Sequence, residues 1–220
     1  MFNFGAEFKN AIVKTDFNEK QIQILLIAEN LFAEKGFDGT SIRDIAKEAK
    51  INIAMVSYYF GSKEQLLESI IVYRASGIKL QLDNLALEDL DPLQKINKLV
   101  ALYIDKVNSN RCVYKIMHFE FSASQRVINL EAFTDLKRGN LKVLETIIED
   151  GQNKGFFRKD IAIPLLTTTI LGTYFHFHLN RPFYQELFRL DTEEKYNTYI
   201  KTTLTMHIQQ TIKAFLTHEN

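Results

Sequence analysis

Between Ser41 and Lys63 the chain reads SIRDIAKEAKINIAMVSYYFGSK, two short helical patterns with almost no room between them. Ser41 is placed to cap the first. Its hydroxyl can accept from a free first-turn amide, and Asp44, three residues on, can answer it as in a capping box. Ile42, Ile45, Ala46 and Ala49 then fall on one face at helical spacing. Lys50-Ile51-Asn52 is too short for a loop that wanders. The second helix covers about Ile53–Tyr59 and stops at Phe60-Gly61, where glycine can take the left-handed C′ conformation. Two short helices across a turn of three or four residues make a helix-turn-helix.

The outward residues of the second helix suit DNA. Asn52, Ile53, Ala54, Ser57 and Tyr58 are small or hydrogen-bonding, and none is acidic. A recognition helix puts its N-terminal end into the major groove, where side chains meet base edges and amides meet phosphates. Tyr58, Tyr59 and Lys63 follow and are expected to hold the backbone, which fixes register while base contacts carry sequence. Ser41 and Arg43, at the start of the first helix, complete the candidate DNA-binding set. Spacing alone also fits an ordinary pair of packed core helices.

The segment Glu29 to Leu67 resembles the N-terminal domain of the TetR family of transcriptional regulators. The matching marks are Phe32-Ala33-Glu34-Lys35-Gly36-Phe37, Thr40-Ser41-Ile42-Arg43-Asp44-Ile45-Ala46, Tyr59-Phe60, and Ser62-Lys63-Glu64 with Leu66-Leu67. Two positions depart from the family pattern: Lys50 stands where glycine is usual in the turn, and Asn52 where serine is common. Asn tolerates many cap geometries. Lys50 needs a turn without strongly positive φ, or some strain.

The remainder of the chain reads as helices. Only 3 Pro and 9 Gly are spread over 220 residues, and 46% of the residues are hydrophobic. Residues 1–18 form an N-terminal extension carrying Phe2, Phe4, Phe8 and Phe17. A helix from about Asn18 to Lys35 buries Ile24, Ala28, Leu31 and Phe32. Ser62 caps a fourth helix that continues toward Leu80, with Gly77 as either a hinge or a close packing point. Leu85 to Asp91 is a connection, and Asp91-Pro92 opens a helix with its face on Leu93, Ile96, Val100, Tyr103 and Val107. Arg111 to Ser122 is apolar almost all round and reads as buried. Val127 to Asp150 is stopped by Gly151. Pro164 starts a helix that Arg181-Pro182 ends near Asn180. Thr192 or Asp191 caps the last helix, with its stripe on Tyr196, Ile200, Leu204, Ile208, Ile212 and Phe215.

Charge and chemistry exclude several classes. Lys+Arg and Asp+Glu are 27 each, so bulk charge gives no argument for nucleic acid. From Thr40 to Lys63 there are four basic and two acidic residues, a local excess only. The single cysteine, Cys112, excludes an intramolecular disulfide framework and suits a reducing compartment; its apolar neighbours predict an inert thiol. No run of about 18 apolar residues occurs. His176 and His178 are two apart on a helix, so they diverge by about 200° and cannot share a metal. His118 with Glu120 has the same fault. There is no Gly-rich phosphate loop and no nucleophile elbow.

The reading is therefore an all-α chain: a three-helix DNA-binding head over residues 19–65, and a helical ligand-binding and dimerisation domain over residues 66–220. The resemblance implies a non-enzymatic, cofactor-free repressor in the cytoplasm, released from a palindromic double-stranded DNA operator by a small molecule. The ligand is expected to be apolar or aromatic, held by Tyr103, His118, Phe119, Phe121, Tyr174, Phe177 and His178. A homodimer is expected through Pro164–Asn180 and Asp191–Leu216, with Leu166, Ile170, Thr173, Phe177 and Leu204 in its seam beside Gly172. The alternatives are a helical ligand-binding module that does not act on DNA and an all-α enzyme using the aromatic cavity.

Overall fold

A computed structural model describes residues 17–123 and 131–217. All regular elements among the described residues are helical. They fall into two compact units, one reaching to Ser76 and taking in Lys115–Asp135, the other made of Gly77–Tyr114 and Leu136–Asn220.

In the first unit, α1 (Glu19–Lys35), α2 (Ile42–Glu48), α3 (Ile53–Phe60) and α4 (Lys63–Ser76) pack in sequence, with α1 also against α4. Local signals set their starts. Asn18 with Gln21 and Ser41 with Asp44 form reciprocal capping boxes. Ser62 and Gln65 exchange the same pair of bonds ahead of α4. The core joins Ile24, Leu25, Ala28 and Phe32 of α1 to Ile45, Val56, Leu66 and Ile70, all 2% exposed or less. One charge lies inside: Glu29, 2% exposed, accepts from Arg74 Nε at 2.7 Å. That bond ties α1 to α4. Phe17, the last residue of the extension to be described, sits edge-on to Tyr73. Residues 1–16 lie outside the described residues.

The second unit contains α5 (Lys79–Leu87), α6 (Pro92–Ser109), α9 (Ile163–Leu179), α10 (Arg181–Leu187), α11 (Glu193–Tyr199), a π turn (Ile200–Leu204) and α12 (Thr205–Leu216), with the start of α7 (Arg111–Ala123) and α8 (Glu131–Asn153) from Leu136. Helices α6, α9 and α12 pack on one another. Their core includes Leu99, Val100, Leu166, Ile170, Tyr174, Ile208 and Leu216.

Five sequence expectations change. The fourth helix does not continue to Leu80: α4 ends at Ser76, and a turn at Gly77 precedes α5. A Cβ on Gly77 would come within 2.6 Å of the Lys106 ammonium, so Gly77 is a close packing point where the helix also breaks. Gly151 does not stop α8. The Phe157 ring lies where its Cβ would be, 2.1 Å from Cδ2, and the helix ends instead at Gly155, φ 75°. Helix α7 is amphipathic rather than buried all round: Val113, Ile116 and Met117 are inside, while Cys112 is exposed. Pro182 does not simply end a helix, because proline fits the first turn of the new helix α10. Finally, the last helix widens into the π turn, where the buried Thr205 hydroxyl donates to Ile200 O at 2.8 Å.

Candidate nucleic-acid interface and ligand wall

Helix α2 ends in a paired hydrogen-bond lock. Ile51 N–H reaches Ala46 O at 3.0 Å and Lys50 N–H reaches Lys47 O at 3.1 Å. The pivot is Lys50, held at φ 53°. The strain expected at this departure from glycine is real. Asn52 follows as N-cap of α3, its side chain accepting from Ala54 N–H at 2.9 Å. Val56 and Phe60 anchor α3 in the core.

That anchoring turns the opposite face outward. Ser41, Arg43, Asn52, Ile53, Ala54 and Ser57 are all exposed, and Tyr58 is 84% exposed, with the half-buried Tyr59 ring packed edge-on at 5.4 Å. An aromatic side chain left so open adds nothing to the core of this unit. Asp44 is engaged by the cap: hydrogen bonds from Ser41 hold its carboxyl below the usual carboxylate range.

Lys63 is engaged within its own unit. Its ammonium donates to Phe37 O and to Thr40 O, both at 3.0 Å, and lies 4.2 Å from the centre of the Phe37 ring. Thr40 is fixed in turn, its hydroxyl 2.9 Å from Gly36 O and 3.1 Å from Leu31 O. Lys63 thus clasps the start of α4 to the α1–α2 connection, and two of its three donors are engaged by this chain.

In the second unit, four of the seven ligand candidates share the core cluster or its edge. Tyr103 and Phe177 are buried, and Tyr174 is completely so, its hydroxyl 3.2 Å from Asn108 Oδ1. Tyr174 stacks on His178, whose Nδ1 is 3.1 Å from the Tyr196 hydroxyl. Burial pushes the phenols of Tyr103 and Tyr196 up to about 12 and that of Tyr174 upward as well. Burial, followed by the nearby Arg111 and Arg181, pushes His178 down, which favours a neutral ring. His118 is exposed and belongs to the first unit. Phe119 and Phe121 lie on α7, with side chains outside the described set.

A polar chain that sequence reasoning missed extends this wall. Glu193 takes Arg111 on one oxygen at 2.9 Å and Arg181 on the other at 2.6 Å. Asn197 accepts from both Arg111 and Asn108, and Arg181 lies over the Tyr196 ring at 4.2 Å. Hydrogen bonding to Arg181, opposed by some burial and aided by Arg111, holds the Glu193 carboxyl at about 2. Arg111 and Asn108 stand more than 80 positions from Glu193 and Asn197, and Arg181 stands 12 from Glu193, all beyond the reach of helical periodicity; only Glu193 and Asn197 at i, i+4 gave a local signal. Among the described residues no group of His, Cys, Asp and Glu is arranged to hold a metal ion. No described helix is long and apolar enough to cross a membrane.

The expected dimer seam is corrected. Leu166, Ile170, Phe177 and Leu204 are all buried in their own protomer's core. The open face of α9 is the neighbouring stripe: Leu165, Thr169, Gly172, His176 and Leu179 are exposed at helical spacing. Beside it runs a groove of about 600 Å³, walled by Phe177, Tyr184, Phe188 and Tyr199 with His176 and His207 on its polar side. The rings of Phe177, Tyr184, Tyr199 and Phe188 are stacked in pairs 4.6–5.9 Å apart.

Comparison with known proteins agrees with both units. Residues 24–70 match the family described as bacterial regulatory proteins, tetR family, and residues 92–209 match the tetracyclin repressor-like C-terminal domain. The chain is 33% identical over 181 residues to the HTH-type transcriptional repressor NicS of Pseudomonas putida, covering 78% of this chain and 82% of that protein. It is 27% identical over 149 residues to the repressor KstR2 of Rhodococcus jostii, covering 66% and 72%. Among solved structures, the transcriptional regulator FadR from Bacillus subtilis in complex with stearoyl-CoA superposes with a TM-score of 0.70 at 16% identity, covering 89% of this chain and 98% of that one. At that identity the likeness concerns the fold.

Proposed function

The chain belongs to the TetR family of bacterial regulatory proteins and is a ligand-responsive, DNA-binding regulator of transcription, and from that premise we propose that it is a cytoplasmic repressor, released from a palindromic operator by a small molecule. Residues 19–65 act as the DNA-binding head and residues 66–220 as the ligand-binding and dimerisation domain. The observation that carries the reading is the open face of α3: Asn52, Ile53, Ala54, Ser57 and Tyr58 point outward from a core-anchored helix without one acidic residue. Asn52 and Ser57 are the base-reading candidates; Ser41, Arg43, Tyr58 and Tyr59 contact the backbone. Lys63 supports the same surface from within.

The ligand is apolar or aromatic. The wall of Tyr103, Tyr174 and Phe177, with His178 as a neutral polar anchor, supports this. So does the acyl chain of the stearoyl-CoA bound by the solved FadR. A homodimer forms through the open stripe of α9 beside α12, which supplies the two-fold axis a palindrome needs. Release needs no separate device: a ligand that binds better to the conformer with misplaced heads lowers DNA affinity, and DNA lowers ligand affinity by the same factor.

A gel-shift with the DNA upstream of the protein's own gene tests the reading, repeated with fatty acids, planar aromatics, cationic drugs and sugars. Binding that an apolar ligand relieves is expected. No binding to any DNA, or a ligand that stabilises the protein and leaves DNA affinity untouched, overturns it.

A further inference from the structure

Among the described residues three helices end in the same paired lock. In α2 the pivot is Lys50, at φ 53°. In α8 it is Gly155, at φ 75°, with Phe156 N–H on Gly151 O at 2.8 Å and Gly155 N–H on Gln152 O at 3.2 Å. In α10 it is Arg189, at φ 54°, with Leu190 N–H on Gln185 O at 2.9 Å and Arg189 N–H on Glu186 O at 3.3 Å. Glycine takes this conformation without a steric penalty, and a side chain does not. Lys50 and Arg189 are the two non-glycine residues with positive φ among the described residues.

A cation at a helix C-terminus gains from the helix dipole, which offsets part of the strain at both positions. Both side chains are exposed and make no hydrogen bond or ion pair with the described residues, so what separates Lys50 is its position. It lies two positions before Asn52, the cap of the DNA-facing helix. Arg43 and Lys47, i and i+4 on α2, are exposed in the helix just before it. Of the two acidic residues on α2, Asp44 is engaged by Ser41, and the exposed Glu48 forms no ion pair with these cations. Three exposed cations close in sequence, one of them strained and none in an ion pair among the described residues, are arranged for an external polyanion.

We propose that Lys50 is a phosphate-contacting residue of the DNA-binding head, and that its left-handed backbone is kept at the expense of folding stability because the ammonium binds the operator backbone. The inference rests on the DNA-binding reading and adds a residue outside the candidate set. It makes stability and function move in opposite directions under one substitution.

The test compares the full-length protein with Lys50→Gly, Lys50→Arg and Arg189→Gly. Urea unfolding and operator binding are measured between 50 and 200 mM salt. Both glycine variants should unfold at higher urea. Lys50→Gly alone should flatten the dependence of log K on log salt, by about 0.9 per subunit and about 1.8 per dimer. Over that fourfold rise in salt the unmodified protein should then lose about tenfold more affinity than Lys50→Gly. Lys50→Arg should keep the slope. If the unmodified protein binds the operator and Lys50→Gly keeps its slope, the phosphate role is refuted and the DNA reading stands. If the unmodified protein binds no DNA, both fall.

Discussion

Lys63 offers a decision between two roles that spacing alone could not separate. As a clasp it makes two charge-assisted bonds to Phe37 O and Thr40 O and a cation–π contact with Phe37. Bonds to a charged group contribute about 1.5–3 kcal/mol each, and a partly exposed cation–π contact about 0.5–1. The side chain is only half-buried, water competes for the ammonium, and the three contacts share one group, so they do not add. A loss of about 2 kcal/mol for Lys63→Met is the reasonable expectation, the methionine keeping most of the apolar stem. With a urea slope of about 2 kcal/mol per M, the midpoint of the head should fall by about 1 M. Operator affinity should drop for every sequence alike as the α1–α2 connection loosens. The slope of affinity against salt should stay as it was, because no phosphate contact is removed. An unchanged urea midpoint, together with a salt slope reduced by about 1.8 per dimer, would refute the clasp and restore a backbone contact.

The other expectations come from the second unit. Gly172 on the open stripe of α9 has nothing within 4 Å of its absent Cβ, so Gly172→Arg should leave the protomer folded by circular dichroism yet halve the mass seen by light scattering; Phe177→Glu should instead unfold the unit, because Phe177 is 4% exposed in its core. Gly151→Ala should cost about 1–2 kcal/mol in thermal unfolding, since displacing the buried Phe157 ring outweighs the roughly 1 kcal/mol gain in helix propensity. The Glu193 carboxyl is held at about 2 against an ordinary 4.5, so its stabilisation is present above the ordinary value and is lost as pH falls toward 2. Glu193→Gln should therefore flatten the stability curve in that window; a curve of unchanged shape would show that Arg181 and Arg111 give the carboxylate no net support.

What could be read from the sequence follows the range of the interactions. Caps are decided within three residues, and Ser41-Asp44 and Asp91 both cap where their spacing placed them. The strain at Lys50 was one of two outcomes that its place at a family glycine position left open, and φ 53° is the strained one. Two glycines four residues apart, Gly151 and Gly155, carry identical local signals, and only the Phe157 ring decides which one ends α8. Lys63 finds its carbonyls 23 and 26 positions away, and Arg111 finds Glu193 82 positions away. No helical period reports such pairs.

The seam of α9 fails for a subtler reason. Its apolar residues lie on both sides, with Leu166, Ile170 and Phe177 on one and Leu165 and Leu179 on the other. Periodicity finds a face only where the opposite face is polar. A helix that serves a protomer core and a second surface erases that contrast. The ambiguity is therefore itself a signature: apolar on both sides, with Gly172 open between Leu165 and Leu179, α9 has more apolar surface than its own protomer can bury. Which side faces inward is settled by the partners that Tyr174 and Phe177 find in α6 and α11, through Asn108 and Tyr196. The side left over is the surface on which the proposed second copy would act.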